Sequence, residues 1–202
     1  MSERMPTRLA KEPIIEAIWE LRFESRVRSV GDVLPGLVYK ELGAKYPRWT
    51  RTLSWRQLGE IAESVFMTTR TYVDSNVLLA AFRASEPWAS SCLAVLDDPR
   101  RTLAVSEFVR LEVLPKPSFF KREEEVRFMA SVLDAAENID ASYELVQLAF
   151  EFACKYGLGS MDALHAAAAH VARVDELVTL EKPIKPLCRL REINVVSLYR
   201  LP

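Results

Sequence analysis

Hydrophobic and polar positions follow two different regimes that meet near residue 66. In the first, IIEAIWELRF (14–23) alternates imperfectly, and its β-branched and aromatic content after Pro13 predicts a strand. Leu37, Val38, Leu42 and Tyr46 then recur at three- and four-residue steps and predict a helix that Pro47 closes. The stretch from Arg48 to Phe66 is turn-rich and ends in a short predicted helix. From Met67 onward, short apolar runs alternate with helical patterns, the signature of a parallel α/β sheet. Predicted strands open TYVDSNVLL (71–79) and cover 102–105, 177–180 and 194–199. Predicted helices cover 87–96, 108–114, 122–137, 142–156 and 161–173, and Glu123, Glu124 and Glu125 suit the first turn of the third. No repeat, low-complexity run or Gly/Ser linker interrupts the chain.

Length and charge sharpen the division. The chain has 202 residues, half of them hydrophobic, enough for one domain plus an additional piece. A formal net charge of −1 excludes a globally basic nucleic-acid coat. Residues 1–66 hold 11 basic and 9 acidic side chains, so the acidic excess belongs to 67–202. We therefore expect an N-terminal extension over 1–66 and an α/β domain over 67–202. Cys92, Cys154 and Cys188 show no CxxC spacing, which argues against a disulfide scaffold or zinc finger. No apolar run reaches bilayer length, and a cytoplasmic location is expected.

The candidate chemistry lies in carboxylates at strand-to-helix junctions. Asp74 stands where an apolar strand gives way to a helix, at the edge of an open α/β sheet where ligands bind. Glu112 interrupts an apolar helical face, and Asp162 opens the Ala-rich helix of MDALHAAAAHVAR. Asp74 and Asp162 each have an alternative reading as a helix N-cap, and Glu112 as a solvated helix residue. The coincidence of three junction acids with Glu181, directly after the strand LVTL, favours a common site. Carboxylates gathered at one edge repel each other unless a cation joins them, and hard oxygen donors select Mg²⁺ or Mn²⁺.

TYVDSNVLLAAF, VSEFVRLEVL, GLGSMDALHAAAA and ELVTLEKP, taken in this order, resemble the four signature blocks of PIN-domain ribonucleases, most closely the small bacterial VapC-type toxins. The resemblance covers residues 67–202 and implies a PIN-like central parallel sheet flanked by helices. It implies catalytic and metal-site roles for Asp74, Glu112 and Asp162, and supporting roles for Asn76 and Ser106. The family's last acid is usually an Asp in a TxD arrangement, whereas Thr179 and Leu180 here precede Glu181. Its longer arm leaves open whether it reaches the metal directly, through water, or not at all. The resemblance further implies a Mg²⁺- or Mn²⁺-dependent endoribonuclease yielding a 5′-phosphate and a 3′-hydroxyl. It also implies an RNA substrate, an antitoxin partner and a homodimer. The competing expectation is a non-catalytic PIN-like RNA-binding or regulatory module. Separately, residues 1–50, through EPIIEAIWELRF and LPGLVYKELGAKYP, resemble the start of an uncharacterised bacterial family.

Arg83, Lys182, Lys185 and Arg189 are candidate phosphate contacts at the rim, with ordinary solvated cations as the alternative. His165, one turn beyond Asp162, is expected to pack or cap rather than to do chemistry, and His170 likewise. The cysteines are expected to be buried small hydrophobes. Arg48, Arg51 and Arg56 interleave with Trp49 and Trp55, an arrangement suited to stacking on bases but commoner as indole packed beneath arginine stems.

Overall fold

The computed structural model describes residues 68–84 and 87–200. The chain divides into two units between Thr68 and Thr69, and the described fold is the second. The strand and helices expected within 1–66, with their arginines and tryptophans, lie outside the described residues.

Five parallel strands form the sheet: β1 (Thr69–Val73), β2 (Arg101–Ser106), β3 (Glu137–Ile139), β4 (Glu176–Thr179) and β5 (Val195–Ser197), in the order β3-β2-β1-β4-β5. Register places Tyr72 opposite Ala104 and Leu177, so the middle of the sheet is apolar across three strands. Tyr72, Val73, Ala104, Val105, Leu177 and Val178 are each 0% exposed. Such consecutive burial requires cover on both faces, which is why these strands read as continuous apolar runs rather than alternating ones. Each large aliphatic side chain buried in this way contributes about 1.5–3 kcal/mol.

The helices are α1 (Ser75–Phe82), α2 (Ala89–Leu96), α3 (Glu107–Val113), α4 (Pro115–Phe119), α5 (Glu123–Ala135), α6 (Tyr143–Tyr156) and α7 (Ser160–Val171). Ser142 caps α6 by accepting a hydrogen bond from the Leu145 amide at 3.1 Å. Gly157 ends it at φ 69°, the left-handed region that glycine enters without Cβ strain. In α7 the run Ala166–Ala169 is entirely buried, and the lack of side-chain bulk lets this helix lie close against β2, β4 and α6. Among the described residues no helix is long and apolar enough to cross a membrane.

Two expectations change. The helix predicted to run to Glu137 stops at Ala135, and Glu137–Ile139 instead form β3, paired with Ala104–Ser106. The segment after Val113 is the short helix α4, opened by Pro115 and Pro117, where missing amide hydrogens cost a first turn nothing.

Candidate metal centre at the carboxyl edge

Successive strands leave β1 in opposite directions, β2 and β3 on one side and β4 and β5 on the other. The carboxyl ends of β1 and β4 therefore bracket a topological switch point, where open α/β sheets leave a crevice. Asp74 follows β1 at this point. Its amide continues the ladder to the Val178 carbonyl at 3.1 Å. It occupies the N-cap position of α1, yet its side chain makes no capping bond. Instead Oδ2 accepts hydrogen bonds from Thr179 Oγ1 at 2.6 Å and Asn76 Nδ2 at 2.8 Å. Asn76 Oδ1 in turn accepts the Leu180 amide at 2.9 Å, tying the first turn of α1 to the end of β4. Asp74, 4% exposed, is thus held in one orientation by neutral donors.

α3 carries Glu112 and α7 carries Asp162 and His165, and these helices pack on each other and on the sheet. One helical turn separates Asp162 from His165, so both lie on the same side of α7. Gly159, not Asp162, is the N-cap of α7, and Asp162 sits in its first turn. The capping alternatives for both aspartates are therefore not realised. His165 Nε2 lies 2.8 Å from Glu112 Oε2 and 3.8 Å from Asp74 Oδ1. The hydrogen bond from His165 holds the Glu112 carboxyl below the usual carboxylate range. Burial, reinforced by the negative charges of Asp74 and Glu181, pushes the Asp162 carboxyl up.

One ligand atom from each of Asp74, Glu112 and His165 lies within 4.8 Å of the others. Asp162 and Glu181 lie outside that trio, although both act on it or on one another through charge. Glu181 is half-buried, and its backbone is fixed by three bonds: its amide donates to Thr179 Oγ1 at 3.1 Å, and its carbonyl accepts from Ser197 Oγ at 2.6 Å and from the Cys188 thiol.

The structure corrects several expectations around this core. Ser106 does not touch an acid; its Oγ lies 2.6 Å from Tyr72 Oη, which is 2.9 Å from His165 Nδ1. His165 is not a packing residue but the hub between Tyr72 and the carboxylates. Thr179 and Tyr72 were outside the residues singled out from sequence; the threonine of the quoted TLE step was the available signal for the first, while the hydroxyl of a strand tyrosine gave none. Only Cys92 is fully buried, whereas Cys188 is half-buried and Cys154 is exposed on α6. Among the rim cations, Arg83, Lys182, Lys185 and Arg189 are all exposed. Lys182 Nζ lies 5.4 Å from the Tyr199 ring centre, and Arg189 Nη2 donates to the Ile184 carbonyl at 2.8 Å.

Residues 71–188, more than half of the chain, match the family model of the PIN domain. The chain belongs to the PIN domain family. No curated protein matches the sequence. Solved structures include chains of similar fold. One similar chain comes from the crystal structure of VapBC2 from Rickettsia felis bound to a promoter DNA fragment, at TM-score 0.51 and 20% identity, covering 63% of this chain and 98% of that one. Another comes from a toxin–antitoxin complex from Klebsiella pneumoniae, at TM-score 0.52 and 22% identity, covering 65% and 99%. The likeness is one of fold. The central parallel sheet flanked by helices expected from the sequence is observed, with β3 as an added edge strand.

Proposed function

We propose that the protein is a metal-dependent endoribonuclease and the toxin of a toxin–antitoxin pair, with Asp74, Glu112, Asp162 and Glu181 as its acidic centre. The observation that carries this reading is the concentration of four carboxylates at the switch point with no Lys or Arg bridging any of them among the described residues. Crowded carboxylates of this kind fit a hard divalent ion, because the ion supplies positive charge that no Lys or Arg among the described residues brings to them.

The residues present suit Mg²⁺ or Mn²⁺, held by Asp74, Glu112 and Asp162, with Glu181 supporting. When bound, such an ion polarises a phosphodiester and makes a water acidic enough to act as nucleophile near neutral pH. The chain's own contribution is orientation. Thr179 and Asn76 fix the Asp74 carboxylate, His165 fixes Glu112, and the α7 helix N-terminus lies beside Asp162, where its dipole favours negative charge. The exposed Arg83, Lys182, Lys185 and Arg189 are the cations that would meet RNA phosphates, which the acids alone would repel. Residues 67–202 contain all of these groups, and an antitoxin occluding the acidic crevice is the partner that fits a toxin of this kind. The reading also keeps the cytoplasmic homodimer expected from the family resemblance.

The test is incubation of the purified full-length chain with total RNA, with Mg²⁺, Mn²⁺ or chelator, followed by mapping of new 5′ ends. Metal-dependent ends bearing 5′-phosphate are expected. Metal binding without cleavage would favour the non-catalytic RNA-binding module instead.

A further inference from the structure

His165 is the group whose role the acids do not account for. Its side chain is 2% exposed, and Nε2 faces two carboxylates borne by different elements, Glu112 of α3 at 2.8 Å and Asp74 after β1 at 3.8 Å. Adjacent ligands of a six-coordinate ion with bonds of about 2.1 Å lie about 3 Å apart. His165 Nε2 already stands at about that spacing from Glu112 Oε2, and all three donor atoms lie within 4.8 Å of one another. Imidazole nitrogen suits transition ions, whereas Mg²⁺ keeps to oxygen donors and water.

The other face of the ring bears on the same question. A histidine that ligates a metal presents a bare nitrogen to the ion, and its second ring nitrogen donates to an oxygen that fixes the tautomer. Here Nδ1 lies 2.9 Å from Tyr72 Oη, which lies 2.6 Å from Ser106 Oγ. Tyr72 and Ser106 are both 0% exposed, so no solvent competes for these bonds. In the metal-ligating tautomer the Tyr72 hydroxyl accepts from Nδ1–H and has its own proton free to donate onward to Ser106. A histidine needed only to pack would not require a relay of two buried hydroxyls behind it.

On the reading that the acids hold a divalent ion, we infer that His165 Nε2 is a direct ligand of that ion beside Asp74 and Glu112, and that this mixed nitrogen–oxygen site takes Mn²⁺ in preference to Mg²⁺. Without metal, Nε2–H donates to Glu112; the ion takes the place of that proton, and Tyr72 and Ser106 act as positioning residues, the Tyr72 hydroxyl accepting from Nδ1–H and so holding the ring in the ligating tautomer.

The experiment is pulsed electron paramagnetic resonance of the full-length chain loaded with Mn²⁺, without RNA. Directly coordinated ¹⁴N modulation is expected, changing to the ¹⁵N pattern when histidine is ¹⁵N-labelled. The chain has two histidines, so the signal should vanish in His165→Gln and persist in His170→Gln. His165→Gln should also weaken Mn²⁺ binding about 10- to 100-fold while changing Mg²⁺ binding far less, and Tyr72→Phe should weaken Mn²⁺ binding about 10-fold with the nitrogen signal broadened. Isotope labelling needs no substitution, so the inference remains testable even if a variant of this buried residue fails to fold. Bound Mn²⁺ without nitrogen coupling in the wild-type chain would overturn the inference and leave the nuclease reading standing. Failure of Mn²⁺ to bind at all would overturn both.

Discussion

The two ends of the same sheet treat buried charge in opposite ways. At the amino end, Arg70 on β1 is bridged to Glu137 on β3, with Nε 3.0 Å from Oε2. Arg101 on β2 is bridged to Glu176 on β4, which also accepts from Thr71 Oγ1 at 2.9 Å. Here Glu137 and Glu176 each meet a guanidinium that reaches across the intervening strand. At the carboxyl end, Asp74 meets the Thr179 hydroxyl and the Asn76 amide and Glu112 meets the His165 imidazole, and among the described residues no Lys or Arg bridges these two, Asp162 or Glu181. Both ends are built from parallel strands under the same helices, so packing alone does not impose the difference. The amino end is neutralised by its own guanidinium groups, whereas the carboxyl end fits the divalent ion proposed above.

The largest expected effect lies at the carboxyl end. Asp74→Asn, Glu112→Gln and Asp162→Asn should each reduce metal-dependent RNA cleavage by about 1,000-fold or more, about 4 kcal/mol of barrier, with circular dichroism unchanged. Full cleavage in any two of them would remove the distinction between the ends.

Next in size is an attack on the amino end. Arg101→Met strips the guanidinium from Glu176, which is 9% exposed, and leaves its carboxylate with Thr71 alone. Breaking a buried pair from one side costs about 3 kcal/mol, about 10 °C in Tm for a chain of this length. Calorimetry should show that loss while Mn²⁺ affinity stays at the wild-type value; an unchanged Tm would mean the amino-end pairs are ornamental.

Glu181→Gln probes the boundary of the site. As a supporting acid it should lower the cleavage rate or Mn²⁺ affinity about 10- to 100-fold. A wild-type rate at limiting Mn²⁺ would exclude Glu181 from the centre.

The smallest effect concerns an acid remote from both ends. Burial alone would raise the Glu192 carboxyl, but hydrogen bonds from Lys155 at 2.7 Å and Tyr156 at 2.7 Å, with backbone amides, outweigh it and bring the group to about 2. A carboxyl depressed on folding contributes stability above its ordinary value of 4.5, and that contribution is lost as pH falls toward about 2. Because Lys155 is exposed, Glu192→Gln should cost about 1 kcal/mol or less at pH 7, and the difference from wild type should vanish near pH 2. A constant difference across that range would contradict the assignment.

What the sequence could and could not reveal follows from the range of the interactions. Asp74 and Asp162 were legible because local patterning places each at a strand or loop giving way to a helix. β3 was not, because Glu137 ends a long helix-forming stretch and joins the sheet only through Ala104 and Arg70, which lie far away in sequence. The role of His165 was hidden for the same reason. An Ala-rich helix explains a histidine by packing until the register of β1 brings Tyr72 Oη, 93 residues earlier, beneath its ring. Ser106 was expected through the family resemblance to support the acids, but its partner, the Tyr72 hydroxyl, lies on another strand and was not legible. Asn76, two residues from Asp74, was recoverable because its bond to that carboxylate is local.

The central claim is that the carboxyl-end acids carry charge awaiting a divalent cation. It is tested most directly by thermal unfolding of the wild-type chain and Asp162→Asn, each with and without Mn²⁺. Without metal, removing a charge that burial and like-charged neighbours disfavour should raise Tm, by no more than about 2–4 °C because solvent screens this half-buried carboxyl. With Mn²⁺ at about 100 times its Kd, the wild-type chain should gain about 2.7 kcal/mol, or about 5–10 °C, and Asp162→Asn should lose most of that gain. A metal-free variant less stable than wild type, together with equal Mn²⁺ shifts in both proteins, would contradict the account.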